Sequence, residues 1–251
     1  MLKESYLFDH VSLIIIDPEL GIHIQEKFAP PLIPASLANN RDPSLHILRW
    51  ENQNYRIVYF QTQKRLEGQC HFYYPTGSLQ MECYYKGGKR HGPSKSFSRE
   101  GKCLSETWFA EDRPEGKSKR YYLSGNLYSV ERYKEGKLEG IQEHYYENGQ
   151  PRTTLSYHQG LLEGKGVLYW PNQQKKRECH FTKGQRQGWD LIWNPKGVLI
   201  DRGEYDRDVP IGTHQRYHDN GRLATEKVYK TGGQCRCREW DDEGRLNEEK
   251  R

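Results

Sequence analysis

Between Gly68 and Tyr229 the apolar residues fall into short alternating runs of strand type, parted by polar turn residues, and the arrangement returns every 24 residues. Seven glycines open the copies: Gly68, Gly92, Gly116, Gly140, Gly164, Gly188 and Gly212. Counted from each glycine, the fifth residue is always aromatic: Tyr73, Phe97, Tyr121, Tyr145, Tyr169, Trp193 and Tyr217. So is the seventeenth: Tyr85, Phe109, Tyr133, Tyr157, Phe181, Tyr205 and Tyr229. The eleventh is Leu79, Cys103, Leu127, Leu199 or Leu223, with Pro151 and Lys175 in the other two copies. Between the two runs lies a turn such as Ser124-Gly125, Asn148-Gly149 or Asn220-Gly221, a strong hairpin signal. Each copy therefore predicts a β-hairpin.

The register follows from the turn. A three-residue loop ending on a left-handed glycine sets the fifth residue opposite the eleventh, Tyr121 against Leu127; a two-residue loop would turn Leu127 away. With strict alternation beyond the turn, Tyr133 shares the face of Tyr121 and Leu127. The other face is expected to be wetter and to carry Arg120, Tyr122, His144, Tyr146, Arg152, Trp170, Lys176, Arg216, His218 and Arg222. Glycine recurs at the twentieth position (Gly88, Gly136, Gly160, Gly184, Gly232), where a positive φ is the expected reason. Asp112 and Asp208 take that place in the second and sixth copies, and aspartate tolerates the left-handed region better than most residues.

These residues resemble the MORN-type repeat, in particular the bacterial variant in which YYxxGxL is followed by an aromatic, a glycine and a closing glycine. The resemblance spans most of the chain. It implies an all-β fold: an elongated single sheet of consecutive antiparallel β-hairpins, twisted into a trough. The small bacterial proteins of this kind include ones described as antitoxins, which implies a role in holding a protein partner. A role at membranes has also been proposed for such repeats. Gln173 stands where the turn glycine is expected, and Arg236 where an eighth opening glycine would fall.

The ends are atypical, as the ends of repeat arrays are. Residues 1–43 predict a capping hairpin, with Val11–Ile16 and Ile22–Phe28 around a turn at Pro18–Gly21, and then a connector, Ala29–Pro43, containing Pro30, Pro31, Pro34 and Pro43. Residues 44–251 form the array. Within it 44–67 read as a degenerate copy with Trp50, Tyr59 and Phe60 near aromatic places, 68–235 as seven copies, and 236–251 as a partial copy and tail. The run Val11–Ile16 is short, is flanked by acids and lacks a small-residue cleavage site, so no secretory signal or membrane span is expected. The cytoplasm is the expected compartment, with signal-less export left open by the sequence.

Composition changes this picture little. At 34% hydrophobic residues and a mean hydropathy of -1.05 the 251-residue chain is poor in core material, which would suit disorder, but 12% aromatics in two strict columns contradict a disordered chain. The net charge of +5 is spread through mixed-sign sequence; it permits an anionic partner without demanding one. Aromatics interleaved with cations can stack bases, yet no nucleic-acid module is present, and nucleic acid is not the expected partner. Cys70, Cys83, Cys103, Cys179, Cys235 and Cys237 fall at several repeat phases, so they predict reduced thiols rather than a disulfide framework. Cys235-x-Cys237 lacks a second pair at ligand spacing, and His214 and His218 would lie roughly 13 Å apart on a strand. Neither a metal nor a cofactor is expected.

No nucleophile–base set, phosphate loop or dinucleotide fingerprint is present, and Glu82, Glu106, Glu178 and Glu226, which share one repeat position, read as surface acids. The chain is therefore expected to bind rather than catalyse. Tyr122, Tyr146 and Trp170 are the candidate contact aromatics, supported by Arg120, Arg152 and Lys176. The competing reading is that these six merely decorate a solvated face. Lys175-Lys176-Arg177 reads either as a phosphate-binding tip or as a solvated one. A protein partner gripped along the face or the edge strands, as by an antitoxin-like or adaptor scaffold, is the leading expectation. The alternative is an anionic phospholipid surface, which rewards clustered cations by about 1 kcal/mol each, whereas here glutamates are interspersed. Open edge strands also invite self-association, and the oligomeric state is not fixed by the sequence.

Overall fold

Strand-forming runs broken by turn residues at two places per repeat produce a chain that is β throughout, with no helix among the described residues. The computed structural model describes residues 5–8, 12–17, 22–27, 44–49, 51–230 and 235–250. Among them no helix is long and apolar enough to cross a membrane. The chain divides into two compact units, Met1–Gly140 and Ile141–Arg251.

In the first unit β1 (Ser5–Phe8), β2 (Ser12–Asp17) and β3 (Ile22–Lys27) make a small sheet of their own in the order β1-β2-β3. Asp17 is opposite Ile22, so the expected N-terminal hairpin exists as a strand pair, and β1 adds a third strand to it. Its turn and the proline-rich connector lie outside the described residues. The repeat sheet begins with β4 (Leu45–Arg49), β5 (Tyr55–Thr62), β6 (Arg65–Tyr73), β7 (Leu79–Lys86), β8 (Lys89–Phe97) and β9 (Cys103–Ala110). β10 (Arg113–Pro114) and β11 (Gly116–Tyr121) are two pieces of one strand interrupted at Glu115, and both lie against β9; β12 (Leu127–Lys134) and β13 (Lys137–Leu138) follow. The second unit holds β14 (Gly140–Tyr145) from Ile141 onward, β15 (Pro151–His158), β16 (Leu161–Tyr169), β17 (Lys175–Thr182), β18 (Gln185–Trp193) and β19 (Leu199–Asp206). β20 (Val209–Tyr217), β21 (Leu223–Tyr229), β22 (Cys235–Trp240) and β23 (Leu246–Lys250) complete it. Within each unit successive strands pair antiparallel, and the sheet is open rather than closed into a barrel.

Two turn types alternate. At the hairpin tips the Tyr74 N–H donates to the Ser78 carbonyl at 2.9 Å and the Gly77 N–H to the Tyr74 carbonyl at 2.8 Å, with Gly77 at φ 90. This is the three-residue loop with a left-handed third residue, and it sets Tyr73 opposite Leu79, Phe97 opposite Cys103, Tyr121 opposite Leu127 and Tyr217 opposite Leu223 as expected. Gln173 adopts φ 68 at the place of the missing turn glycine. The hairpin of β4 and β5 has the same register, Arg49 opposite Tyr55, and the last hairpin sets Trp240 opposite Leu246, so its frame opens on Cys235, one residue before Arg236.

The links between copies are two-residue turns with positive φ at both places, the type that matches strand twist. Glu135 and Gly136 have φ 53 and 81, and Asp112 and Asp208 occupy the second place at φ 70 and 66. The first place is not glycine in most copies. Its N–H is captured by the carboxylate that precedes the opening glycine: Glu67 accepts from Gly87 at 2.7 Å, Glu115 from Glu135 at 2.8 Å and Glu163 from Lys183 at 2.7 Å. The run Leu66-Glu67-Gly68, repeated as Leu162-Glu163-Gly164, thus has a mechanical reason.

One expectation fails. Gly116 is opposite Tyr133 and Arg120 opposite Ser129, yet Tyr121 is opposite Leu127, so Tyr128 is an extra residue on β12. The same one-residue slip occurs between Phe72 and Tyr73, Ser96 and Phe97, Leu168 and Tyr169, Ile192 and Trp193, and Arg216 and Tyr217. Cross-strand partners share a face, and Gly116 and Tyr121 are an odd number of residues apart, so Tyr121 and Tyr133 point to opposite sides. Side-chain contacts agree. Tyr133 Oη donates to Glu131 at 2.6 Å, and Glu131 also meets Arg120, whereas Tyr121 Oη donates to Glu106 at 3.0 Å. The face of Tyr121 and the other fifth-position residues is called the first face below, and that of Tyr133 the second.

Both faces carry buried positions. On the second face Cys70, Cys83 and Ser118 are buried in the first unit, and Gln142, Cys179 and Asp190 in the second. On the first face Tyr84, Trp108 and Val130 are buried in the first unit and Val167 in the second. Neighbouring strands fit by exchanging large for small: the space over Gly203 holds the His214 ring, which lies between Tyr205 and Tyr229 with centroids 5.0 and 4.8 Å away.

Candidate interaction surface

The six candidates stand at the fourth, sixth or twelfth place of their copies, and all three places belong to the second face of the hairpin, the twelfth being the extra residue of the slip. That face is not simply the wetter one, because the seventeenth-position aromatics share it. Arg120 and Tyr122 lie in the first unit. Tyr122 closes the tip loop, its N–H donating to the Asn126 carbonyl at 2.8 Å, and its ring meets Tyr128 edge-on at 5.2 Å. The Arg120 guanidinium is 3.5 Å from Glu131. Burial first, and then Glu131, push the Tyr133 phenol up from its ordinary range.

In the second unit the sixth-position aromatics are tied to the following hairpin. Tyr146 Oη donates to the Tyr169 carbonyl at 2.8 Å, and Trp170 Nε1 to the Trp193 carbonyl at 2.9 Å. Tyr74 does the same in the first unit, reaching the Phe97 carbonyl at 2.9 Å, and His218 Nε2 lies 3.0 Å from the Trp240 carbonyl. Each bond joins a tip to the backbone beside the next fifth-position residue. Lys176 then lies over Trp170, its Nζ 4.4 Å from the ring centroid, and Arg152 sits half-buried at the corresponding place on β15. Tyr146 and Trp170 are therefore fixed at their polar ends, and Trp170 is also capped by Lys176.

The basic tip resolves into three separate contacts. Lys175 bonds to Glu178 at 2.7 Å, which raises the ammonium above its ordinary range, Lys176 covers Trp170, and Arg177 makes a two-pronged pair with buried Asp190 at 2.8 and 2.6 Å. A phosphate-binding tip would need these cations to converge, and they diverge. His214 and His218 each face a backbone carbonyl, of Glu204 and Trp240 respectively. Among the described residues no group of three or more metal-ligating side chains converges.

The acid column lies on the first face, with Tyr121, rather than on the face of the six candidates. Its members are engaged: Glu82 with His71 at 3.2 Å, Glu106 with Lys95 at 3.1 Å, Glu178 with Lys165 at 2.8 Å and Glu226 with Arg238 at 3.3 Å. A device invisible in the columns also emerges. Arg90 lies over Phe109 at 4.0 Å and donates to Asp112 at 3.1 Å, and Arg186 lies over Tyr205 at 3.8 Å and donates to Asp208 at 2.8 Å. Arginine at the twenty-second place thus goes with aspartate at the twentieth place of the next copy, a pairing that the sequence contains but that a column-by-column reading passes over.

The period, both aromatic columns and the two alternating turns are now joined by a family match: the family described as MORN repeat variant matches residues 66–86, 114–135 and 138–159. These three segments are MORN-type repeats. No curated protein matched it significantly. MORN repeats commonly serve interactions with proteins or with membrane lipids. In this MORN array the matched segments contain Tyr85, Tyr121, Tyr133, Tyr145 and Tyr157, and they also take in the candidates Arg120, Tyr122, Tyr146 and Arg152.

Proposed function

We propose that this protein is a non-enzymatic scaffold that holds another protein against the second face of its MORN hairpins, in an antitoxin-like or adaptor role. One observation carries the reading: Tyr146 and Trp170 are tied down through their polar atoms, and Lys176 caps Trp170, so the contact side chains are ordered before a partner arrives. Ordering long side chains costs about 0.5–1.5 kcal/mol each on association, and a surface ordered in advance avoids much of that cost. The engagement of Glu82 by His71, and of Glu106, Glu178 and Glu226 in ion pairs, supports binding over acid–base catalysis. Six unpaired cysteines support a reducing compartment, the cytoplasm.

The test compares the wild-type chain with an Arg152→Glu/Lys176→Glu variant, which leaves the backbone bonds of Tyr146 and Trp170 in place. A protein captured by the wild type and lost with the folded variant supports the proposal; equal capture by both overturns it. Co-sedimentation with neutral and anionic vesicles at low and high salt decides the lipid alternative. Salt-sensitive binding to anionic vesicles alone, abolished in the same variant, would replace the protein partner by a membrane surface.

A further inference from the structure

We propose that Cys70 and Cys83 form a thiol–disulfide site, which a hydroperoxide converts into a cross-strand disulfide inside the first full repeat. The two residues are direct partners across β6 and β7 and lie on the second face, 2% and 1% exposed. Direct antiparallel partners have Cα atoms about 4.5–5.5 Å apart, inside the span of about 4.4–6.8 Å that a disulfide bridges without backbone movement. The sulfurs already turn toward one another's strand: Cys83 Sγ lies 3.8 Å from the Cys70 carbonyl, and the two thiols are hydrogen-bonded to each other.

The pair is unequal. Donation from Cys70 favours the thiolate of Cys83 against burial, with Tyr85 and the Arg90 charge helping, whereas Cys70 is held as the thiol. Cys83 is therefore the attacking sulfur and Cys70 the resolving one. In the first step the Cys83 thiolate forms an S–O bond as the O–O bond of the hydroperoxide breaks, and the departing alkoxide or hydroxide takes up the proton that Cys83 gave up. In the second the Cys70 sulfur displaces the sulfenic oxygen of Cys83: the S–S bond forms, the S–O bond breaks, and the oxygen leaves as water with the Cys70 proton. Two electrons pass from the sulfurs to the peroxide.

The chain holds its own control. Cys179 occupies the same fifteenth place as Cys83 and is likewise buried, but Gly166 stands opposite it where the first repeat has Cys70. A buried sulfur at this place with no cysteine across it has nothing to close on.

The folded full-length chain is exposed to hydrogen peroxide, quenched, unfolded in maleimide and mapped by mass spectrometry. The expected result is a Cys70–Cys83 linked peptide, lighter by two hydrogen atoms than the reduced pair and restored by dithiothreitol, with Cys179 in no disulfide. Maleimide on both Cys70 and Cys83 after exposure, separate over-oxidation of the two, or linkage of either to another cysteine overturns the proposal. Cys70→Ser, exposed in the presence of dimedone, is expected to carry the adduct on Cys83; an unmodified Cys83 there refutes it as the attacking sulfur. The reduced and oxidised chains are compared by circular dichroism, so that linkage within an unfolded fraction, which would also count against the site, is told apart from linkage in the sheet.

Discussion

Gly203→Ala isolates one packing relation in the second unit. Gly203 has no positive φ, so alanine is acceptable to the backbone, and the whole effect is steric. An added Cβ would stand 2.4 Å from Nδ1, 2.5 Å from Cε1 and 2.8 Å from Cγ of His214. The ring cannot yield cheaply, because Tyr205 and Tyr229 flank it and Nε2 is held 2.8 Å from the Glu204 carbonyl. If the ring stays, overpacking costs about 1–3 kcal/mol. If it leaves, two aromatic contacts at about 0.5–1.5 kcal/mol each and one hydrogen bond near 1 kcal/mol are lost. The cheaper route sets the loss, so about 1–3 kcal/mol is expected, read as a fall in the urea midpoint of the second unit, followed by hydrogen exchange at Tyr205 and Tyr229. His214→Ala opens the space, so the Gly203→Ala/His214→Ala double variant should be no less stable than His214→Ala alone. A loss below about 0.5 kcal/mol for Gly203→Ala, or additive losses in the double variant, would refute the packing argument.

Three further outcomes follow from single contacts. Tyr146→Phe keeps the ring and removes its donor to the Tyr169 carbonyl; a loss of about 1 kcal/mol by urea denaturation is expected, and no change would mean the bond is exchanged for water at no cost. Gln173→Gly relieves a left-handed glutamine and should stabilise by about 0.5–1 kcal/mol once the extra freedom of unfolded glycine is subtracted, a rise in thermal midpoint being the check. The Glu82 carboxyl is held below its ordinary 4.5 by the hydrogen bond from His71, against burial, with the His71 and Lys95 charges helping. Its folded pKa being the lower one, its stabilisation is complete above 4.5 and drains away as pH falls through the folded value. Glu82→Gln should therefore lose less stability than the wild type between about pH 5 and about pH 3, and parallel acid profiles would sink the assignment.

The hairpins, their three-residue tips and the opposition of Tyr121 to Leu127 were legible because glycine and aromatic residues are forced at fixed phases. The opposite-face placement of Tyr133 was not. It depends on one extra residue at the twelfth place, and that place holds Gln80, Leu104, Tyr128, Arg152, Lys176, Ile200 or Ala224, so nothing in its chemistry marks the slip. The positive φ at Glu135 and Arg207 was hidden for a related reason: a neighbouring side chain, such as Glu115 beneath Glu135, secures a turn that composition alone would assign to glycine. Of the candidate surface, the residue types at the sixth and twelfth places were visible, but the spending of the Tyr146 and Trp170 donors on the next hairpin was not, since a donor's partner one copy away leaves no local trace.

Those tip bonds all run in one direction, from Tyr74 to the Phe97 carbonyl, from Tyr146 to that of Tyr169 and from Trp170 to that of Trp193. A chain emerging from a ribosome at about 5–20 residues per second would leave each tip without its acceptor for on the order of a few seconds, until the following copy is made. At these three tips synthesis and assembly thus share an arrow: the hairpin made next finishes the one before it. Removing a copy from the carboxyl side strips the acceptor from its predecessor, whereas removing one from the amino side leaves the bonds of its successors untouched.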